Sequence, residues 1–365
     1  MSDELEDLLK GLDESGPAPR EAVRNMAPYS PPTSGRAGKL RLDFNENTVG
    51  TSPMVVAALK KYLTADHLTI YPEYQNAMAA LARFFHVEHK QFTMTNGTDE
   101  AIQVMVNAFV EAGDDVIVLT PSYAMYRFYA EVAGATIREV PYTPGKLTFP
   151  LEDLLNALRP ETKAVFIANP NNPTGTMVKS EQIRLILETA PEAAVLIDEA
   201  YYEFCGTTVL PWINDYKNLF VTRTFSKVYG MAAMRCGCIF SDAGNVHWMR
   251  KAQSPYSVNM LAAVAASAAI QDTEYVSRYV TEVLAAREVV SVGFERLGIP
   301  YCPSQANFIL FDAGDKAAAI CEGMRDRGIL VRNRTHEIPG AVRVTAGTLE
   351  QAERFVAALE ELWKR

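Results

Sequence analysis

The segment Asn218–Gly237, NLFVTRTFSKVYGMAAMRCG, is the most informative part of the chain because it contains Lys227. It begins as a short apolar strand and then breaks into a polar turn. The turn places hydroxyls at Thr224 and Ser226 before the lysine and a guanidinium at Arg235 after it. A lone lysine is usually a solvated surface charge, but these neighbours supply anion-binding groups beside the amine. The combination suits covalent binding of a phosphorylated aldehyde cofactor.

Length, composition and charge limit the classes of function. A chain of 365 residues can bury a large core, and its length allows two or three domains. Hydrophobic residues make up 48% and charged residues 22% of the chain, as in ordinary globular proteins. The net charge of −9 argues against sequence-independent nucleic-acid binding, which needs a basic face. We therefore predict small-molecule partners and no nucleic acid.

The sequence predicts a cytoplasmic protein that does not cross a membrane. Its first residues, MSDELEDLLKGLDESG, are acidic and lack the basic region and apolar core of a secretory signal. The most apolar stretch, Met260–Ile270, is about half of the ~20 residues that a membrane-spanning helix needs. Five cysteines at irregular spacing do not form a disulfide framework, as is typical of a reducing cytoplasm. The spacing of cysteines and histidines predicts no metal site.

Short apolar strands alternate with amphipathic helical patterns from about residue 90 onward. This alternation predicts a mainly parallel sheet covered by helices on both faces. The strands are predicted at Phe92–Thr95, Val116–Leu119, Thr136–Val140, Ala164–Ala168, Ala193–Ile197, Leu219–Thr222 and Cys236–Phe240.

The pattern changes after about residue 255 to long helices. These are followed by predicted strands at Asn307–Phe311 and Ala341–Thr345 and by a final helix over Leu349–Leu362. This pattern indicates a second, smaller α+β domain. We predict an amino-terminal extension and arm over 1–35, a large domain over 36–260, and a small domain over 261–365 that includes residues near the amino terminus.

Polar residues follow the predicted strands at their carboxyl ends, where open parallel sheets bind ligands. In Asn96–Glu100, NGTDE, a turn opens directly into a helix, so free N–H groups at Gly97 and Thr98 could bind phosphate. A simple helix cap by Thr98 is the alternative. Tyr123, in PSY, could stack on a flat ring, although taken alone a core or surface tyrosine is the commoner interpretation.

Two further strand ends carry candidate ring contacts. In the loop NPNNPTG, prolines and a glycine hold Asn172 rigidly, so its amide can bond in a set direction, although a plain turn is the alternative. Asp198, in DEAY, ends an apolar strand, where a carboxylate is costly unless it meets a cation or donor such as a pyridinium N–H. Tyr201 could reach a phenolic oxygen of the same ring. A capping aspartate is the competing interpretation of Asp198.

The ordered set NGTDE, PSY, NPNNPTG, DEAY, TFSKVYGMAAMR and AVRVTAGT resembles the fold-type I pyridoxal-phosphate aminotransferases. It is most similar to the histidinol-phosphate aminotransferase branch, and the resemblance covers roughly residues 28–363. It implies an α/β fold with a mainly parallel seven-stranded sheet in the large domain and a small α+β domain. It also implies pyridoxal 5′-phosphate as the cofactor.

The resemblance implies a cofactor role for each matching residue. Lys227 would form the internal Schiff base and, once freed, would shuttle a proton between substrate and cofactor. Asp198 would keep the pyridine nitrogen protonated. The other implied contacts are to the ring for Tyr123, to the 3′-oxygen for Asn172 and Tyr201, and to the phosphate for Gly97, Thr98, Thr224, Ser226 and Arg235.

The resemblance also implies substrate and subunit contacts. Tyr71 matches a tyrosine lent to the neighbouring subunit's phosphate site, so it implies a homodimer with composite active sites. Arg343 matches the arginine that binds the substrate carboxylate, and an arginine within an apolar strand is indeed costly unless it meets an anion. The substrate contacts implied near it are Tyr29, Asn45 and Arg332, with Arg334 as an alternative to Arg332.

These residues predict transamination of L-histidinol phosphate with 2-oxoglutarate in histidine biosynthesis. An aromatic amino-acid aminotransferase or a threonine-phosphate decarboxylase-like enzyme would use the same cofactor site. A non-catalytic cofactor-sensing domain of a transcriptional regulator is a third alternative. It is disfavoured because the acidic chain has no basic helix-turn-helix segment.

Overall fold

A central seven-stranded sheet is built from the apolar segments in the middle of the chain. A computed structural model describes residues 16–24, 26 and 34–364. The strands in this range are β1 (Leu40–Arg41), β2 (Phe92–Thr95), β3 (Asp115–Thr120), β4 (Thr136–Pro141), β5 (Thr162–Ala168), β6 (Ala194–Asp198), β7 (Leu219–Thr224), β8 (Gly237–Phe240), β9 (Tyr301–Cys302), β10 (Phe308–Asp312), β11 (Ile329–Leu330), β12 (Arg332–Asn333) and β13 (Ala341–Thr345).

The order across the large sheet is β2-β8-β7-β6-β5-β3-β4. Strand β8 is antiparallel to both of its neighbours, and the pairs from β7 to β4 are parallel. This confirms the predicted mainly parallel, seven-stranded sheet. Because β8 reverses direction, β2 runs the same way as β7, so the carboxyl ends of β2, β3, β5, β6 and β7 share one edge.

Helices pack against this sheet and make up much of the remaining chain. They are α1 (Glu21–Arg24), α2 (Pro53–Tyr62), α3 (Ala65–Leu68), α4 (Gln75–Phe85), α5 (Gly97–Phe109), α6 (Ala124–Ala133), α7 (Leu151–Ala157), α8 (Ser180–Thr189), α9 (Tyr202–Cys205), α10 (Ala243–Ala252), α11 (Met260–Ala269), α12 (Thr273–Leu297), α13 (Ala317–Asp326) and α14 (Leu349–Trp363). Short 3₁₀ helices lie at His89–Gln91, Leu210–Asn214, Ala232–Met234 and Gly314–Lys316. Within the described residues, the helices are all too short or too polar to span a membrane.

Alternate residues of the central strands enter two apolar clusters, one on each face of the sheet. In β5, Val165 and Ile167 belong to the larger cluster, whereas Ala164 and Phe166 belong to the other. Successive side chains of a strand point to opposite faces, so a strand buried on both faces must be apolar throughout. This double burial makes each central strand an unbroken apolar run in the sequence.

A second, four-stranded antiparallel sheet has the order β12-β13-β10-β9. Helix α14 begins with a capping box, in which Thr348 and Gln351 each bond the other's backbone N–H. It buries Phe355 and Leu359 and packs against α12. Strand β1 pairs with β11, which ties residues near the amino terminus to this part of the chain. The domain boundaries at 35 and 260 stay a prediction.

Several predicted strand boundaries differ from the observed ones by one or two residues. Two differences beside the site have a physical cause. Strand β7 continues to Thr224, beyond the predicted Leu219–Thr222, because its polar side chains are paired inside the protein. The Thr222 hydroxyl donates to Asp198, and Arg223 forms an ion pair with Glu199. Helix α5 begins at Gly97, with Asn96 as the capping position and no side-chain cap, so the alternative of a cap by Thr98 is wrong.

Candidate active site

A cavity of about 330 Å³ opens at the carboxyl edge of the central sheet. It lies where β2, β3, β5, β6 and β7 end, as the parallel topology requires. Most of the residues singled out in the sequence line it: Asn45, Thr98, Tyr123, Asn172, Asp198, Tyr201, Thr224, Ser226, Lys227, Arg235, Arg332, Arg334 and Arg343. Residues up to 300 positions apart therefore meet in one cavity.

Lys227 is half-buried at the floor of this cavity. Its Nζ donates a hydrogen bond of 3.1 Å to the carbonyl oxygen of Phe44. The same atom lies 5.7 Å from the centroid of the Tyr201 ring. The amine is therefore held by one backbone acceptor inside the cavity and could react with an aldehyde there.

Asp198 is a buried carboxylate that accepts hydrogen bonds but has no cationic partner among the described residues. It is 4% exposed. Its oxygens accept from the Tyr126 hydroxyl at 2.8 Å, the Thr222 hydroxyl at 2.9 Å and the Ala200 backbone N–H at 3.1 Å. Burial raises the pKa of Asp198 above its ordinary value, although these hydrogen bonds oppose the shift. A protonated ring nitrogen would supply the missing positive charge.

The start of α5 and the side chain of Arg235 form what we call the anion cradle, with Gly97, Thr98, Thr224 and Ser226. Gly97 has φ +76°, and a Cβ added there would lie 2.5 Å from Nη2 of Arg235. Only glycine lets the guanidinium approach the free N–H groups of the helix start so closely. The backbone N–H donors at the start of α5 and the guanidinium beside them suit the oxygens of a phosphate.

Asp99 connects the anion cradle to the ring of Tyr123. Its Oδ2 accepts from Arg235 Nη2 at 3.0 Å, and its Oδ1 accepts from the Tyr123 hydroxyl at 2.7 Å. Asp99 lines the cavity but is not predicted from the sequence, because a polar residue in the first turn of a helix is common. Tyr126, which donates to Asp198, was also missed. Nothing in the sequence distinguishes it from a core tyrosine.

Arg343 lies on β13 in the second sheet and reaches across to the cavity. Nη1 donates to Asn172 Oδ1 at 2.5 Å and Nη2 to the Asp43 carbonyl at 2.7 Å. Within the described residues, the Nε atoms of Arg343 and Arg334 are buried without a hydrogen-bond partner. Burial lowers the pKa of Arg343 to about 10, and the nearby charges of Arg334 and Arg332 add to this effect. A bound anion would offset the cost of burying the Arg343 charge and would supply a negative partner for these guanidinium groups.

A short segment that includes Asp43, Phe44 and Asn45 packs against the site, and its last two residues line the cavity. Besides the two carbonyl contacts above, Asn45 Nδ2 donates to the Tyr201 hydroxyl at 2.9 Å. Asn45 is predicted from the sequence, but its two neighbours are not, because they act through backbone carbonyls that no side chain reveals.

Tyr71 is a predicted site residue that does not line this cavity in its own chain. It is 74% exposed and lies against Tyr256, with ring centroids 4.8 Å apart. Tyr29 falls outside the described residues. Within those residues no group of three or more His, Cys, Asp or Glu side chains could hold a metal ion.

The motifs and the geometry agree with a comparison to known families. The profile of the family described as aminotransferase class I and II matches residues 37–359. The chain belongs to this family. The resemblance seen in the sequence is therefore confirmed, and the alternative of a non-catalytic sensor domain is disfavoured further.

Relatives of this aminotransferase share its length. The histidinol-phosphate aminotransferase of Symbiobacterium thermophilum is 38% identical over 355 residues, which cover 93% of this chain and 97% of the relative. The protein of the same name from Geobacillus sp. is 35% identical over 358 residues, which cover 94% of this chain and 97% of that relative. The crystal structure of histidinol-phosphate aminotransferase from Sinorhizobium meliloti in complex with pyridoxal-5′-phosphate has a TM-score of 0.86 and 25% identity. That match covers 96% of this chain and 99% of the other.

Proposed function

We propose that this aminotransferase holds pyridoxal 5′-phosphate and transfers the amine of L-histidinol phosphate to 2-oxoglutarate in histidine biosynthesis. The observation that carries the proposal is the meeting of Lys227, the uncompensated carboxylate of Asp198 and the anion cradle in one cavity. The names and near full-length similarity of the relatives support the choice of substrate.

The residues present fit the cofactor on three sides. The anion cradle suits its phosphate, Asp198 suits its ring nitrogen, and the amine of Lys227 suits its aldehyde. Tyr123 would stack on the ring, and Asn172 and Tyr201 would bond its 3′-oxygen. When bound, pyridoxal 5′-phosphate supplies an electron-withdrawing ring that stabilises negative charge on the substrate carbon bearing the amine.

The chain's own residues would orient the substrate and move its proton. Lys227 would carry the cofactor and, when its amine is free, take the proton from the substrate carbon and deliver it to the cofactor carbon C4′. Asp198 would keep its charge next to the ring nitrogen. Arg343 would hold the anionic end of the substrate, so that the carbon bearing the amine faces Lys227.

The charge of the cavity supports a phosphorylated amine as substrate. In L-histidinol phosphate, a carbon carrying a phosphate ester stands where an amino acid has its carboxylate. The guanidinium groups of Arg332, Arg334 and Arg343 line the same cavity. The Nε atoms of Arg334 and Arg343 are buried and have no hydrogen-bond partner among the described residues. Such a site suits a dianion as well as the carboxylates of 2-oxoglutarate.

A half-reaction tests the substrate directly. We expect L-histidinol phosphate to convert the bound cofactor to its amine form, with kcat/KM at least roughly 100-fold above that for phenylalanine. Stopped-flow absorbance of the cofactor-loaded protein, without oxo acid, measures this ratio. Equal rates with phenylalanine would support the aromatic aminotransferase instead. Release of carbon dioxide from threonine phosphate would support the decarboxylase-like alternative.

We also propose a cytoplasmic homodimer in which Tyr71 serves the partner's cavity. Large exposed apolar side chains are concentrated around residues 49–71, as is common at subunit interfaces. They are Val49, Met54, Val56, Leu63, Leu68, Ile70 and Tyr71, with Tyr256 beside the last. The cysteines Cys205, Cys236, Cys238, Cys302 and Cys321 are free, which supports a reducing compartment.

Mixing two defective chains tests the shared site. Lys227→Ala and Tyr71→Ala chains are each expected to be weakly active or inactive. Unfolded together and refolded at equal concentration, they should recover about a quarter of native activity, because half of the dimers would contain one intact site of two. Sedimentation velocity checks the dimer itself. Recovery no greater than the sum of the separate chains would mean that Tyr71 does not act in the partner's site.

A further inference from the structure

A buried ion pair, Glu199–Arg223, lies behind the residues that face the cavity. Glu199 directly follows Asp198 at the end of β6, and Arg223 lies between Thr222 and Thr224 on β7. Successive side chains alternate between the two faces of a sheet. Asp198 and Thr222 bond each other on the cavity face, and Glu199 and Arg223 bond each other on the opposite face.

The pair is almost completely withdrawn from water and well hydrogen-bonded. The side chains of Arg223 and Glu199 are 5% and 0% exposed, and Arg223 Nε donates to Glu199 Oε2 at 2.8 Å. The Thr208 hydroxyl donates to the same oxygen at 2.7 Å and accepts from Arg223 Nη2 at 2.9 Å. The Val209 N–H donates to Oε1 at 2.7 Å, and the Arg223 guanidinium lies 3.5 Å from the centre of the Tyr202 ring.

Stability alone is a weak reason for such a pair. Burying two charges has a large desolvation cost, and replacing a buried pair by well-packed neutral side chains is often neutral or stabilising. The position of the pair offers a better reason. It joins the ends of two parallel strands where their backbones separate, just beyond the contact of the Glu199 N–H with the Thr222 carbonyl at 3.1 Å.

The strand ends joined in this way carry the reactive groups. Asp198 is the last residue of β6, and Thr224 is the last residue of β7, three residues before Lys227. A cofactor held at once by Asp198, the anion cradle and Lys227 needs these ends at one fixed separation. Misplacement of a reacting group by about 1 Å can cost two orders of magnitude in rate.

We propose that Glu199 and Arg223 are positioning residues for the transamination, because their ion pair fixes the separation between Asp198 and the turn that carries Lys227. The proposal rests on the proposed function, since it assumes one cofactor bound by both groups. Neither side chain lines the cavity. They act only through the two strand ends that they join.

The test is a neutral double variant, Glu199→Gln with Arg223→Met. Glutamine keeps an acceptor for the Val209 N–H and a partner for Thr208, so the variant should fold. We expect its affinity for pyridoxal 5′-phosphate to fall roughly tenfold or more and its kcat to fall more than its KM rises. The pH midpoint of the bound-cofactor absorbance should also shift, which a purely structural role would not cause.

The matched control is the pair Asp115–Arg138 at the opposite edge of the sheet, replaced as Asp115→Asn with Arg138→Met. This variant should lose stability but keep the wild-type cofactor affinity and midpoint.

A Glu199→Gln/Arg223→Met protein with wild-type affinity and midpoint would overturn the proposal. If that protein does not fold, Thr208→Val decides, because it keeps both charges and removes the hydroxyl bonded to both partners and to the Leu210 N–H. Unchanged readouts there overturn the proposal. Failure of the wild-type protein to bind the cofactor would instead overturn the proposed function.

Discussion

Replacing Lys227 with alanine is expected to lower kcat by about 1000-fold or more while leaving the fold intact. The loss combines the covalent attachment of the cofactor with the movement of the substrate proton, and general acid–base catalysis alone contributes 10²–10⁴-fold in typical enzymes, as an order of magnitude. The structure predicts little effect on stability. The lysine is half-buried, and it donates a hydrogen bond to a backbone carbonyl, that of Phe44.

Steady-state turnover and chemical trapping check this expectation separately. Borohydride reduction of the loaded wild-type protein should add the mass of the reduced cofactor to the peptide containing Lys227, and to no peptide of the variant. Lys90→Ala is the matched control, because Lys90 is 64% exposed and pairs only with Glu88 among the described residues. It should keep wild-type turnover and trapping. A Lys227→Ala protein that turned over at the wild-type rate would exclude the proposed chemistry.

The central sheet could be predicted well because its strands carry their own signal. Double burial makes β5 and β6 unbroken apolar runs, and strands of this kind end abruptly in polar residues at the carboxyl edge. The sequence therefore places Asp198, Lys227 and Asn172 at or just beyond strand ends. Parallel topology then requires those ends to lie together.

Contacts made by backbone atoms or by ordinary side chains could not be predicted. The Asp43 carbonyl meets Arg343 across 300 positions of sequence, and no residue type announces a carbonyl acceptor. The polar residues that follow the apolar part of β7 predict a turn, whereas the strand continues to Thr224. Only the partner, Glu199, makes Arg223 acceptable there, and pairing between strands is not visible in one strand's sequence.

Asp198→Asn is expected to stabilise the cofactor-free protein and to lower kcat of the loaded protein by about 100-fold or more. Asparagine has the shape of aspartate and can still accept from Thr222 and the Ala200 N–H, but it cannot carry the charge that keeps the ring nitrogen protonated. Burial raises the pKa of Asp198, so the charged form is less stable inside the protein than in water. The neutral asparagine avoids the free-energy cost of burying this charge.

The sign of the pH dependence follows from the direction of the shift. For a carboxyl whose pKa is raised by folding, the cost is absent below the unfolded pKa of about 4 and grows as the pH rises through the folded pKa. The melting temperature of the cofactor-free variant should therefore exceed that of the wild type by roughly 2 °C or more at pH 8, and the difference should disappear near pH 4.

Asp115→Asn is the control with the opposite sign. Burial alone would raise the pKa of Asp115, but the guanidinium of Arg138 outweighs it and lowers that pKa. This carboxylate therefore stabilises the fold above its unfolded pKa, and the stabilisation is lost as the pH falls through the folded pKa. Its variant should melt lower than the wild type at pH 8 and keep wild-type kcat. If Asp198→Asn melted lower than the wild type at pH 8 and kept wild-type kcat, Asp198 would be an ordinary structural carboxylate. A carboxylate that serves the ring nitrogen should instead destabilise the cofactor-free protein and be required for activity when the cofactor is bound.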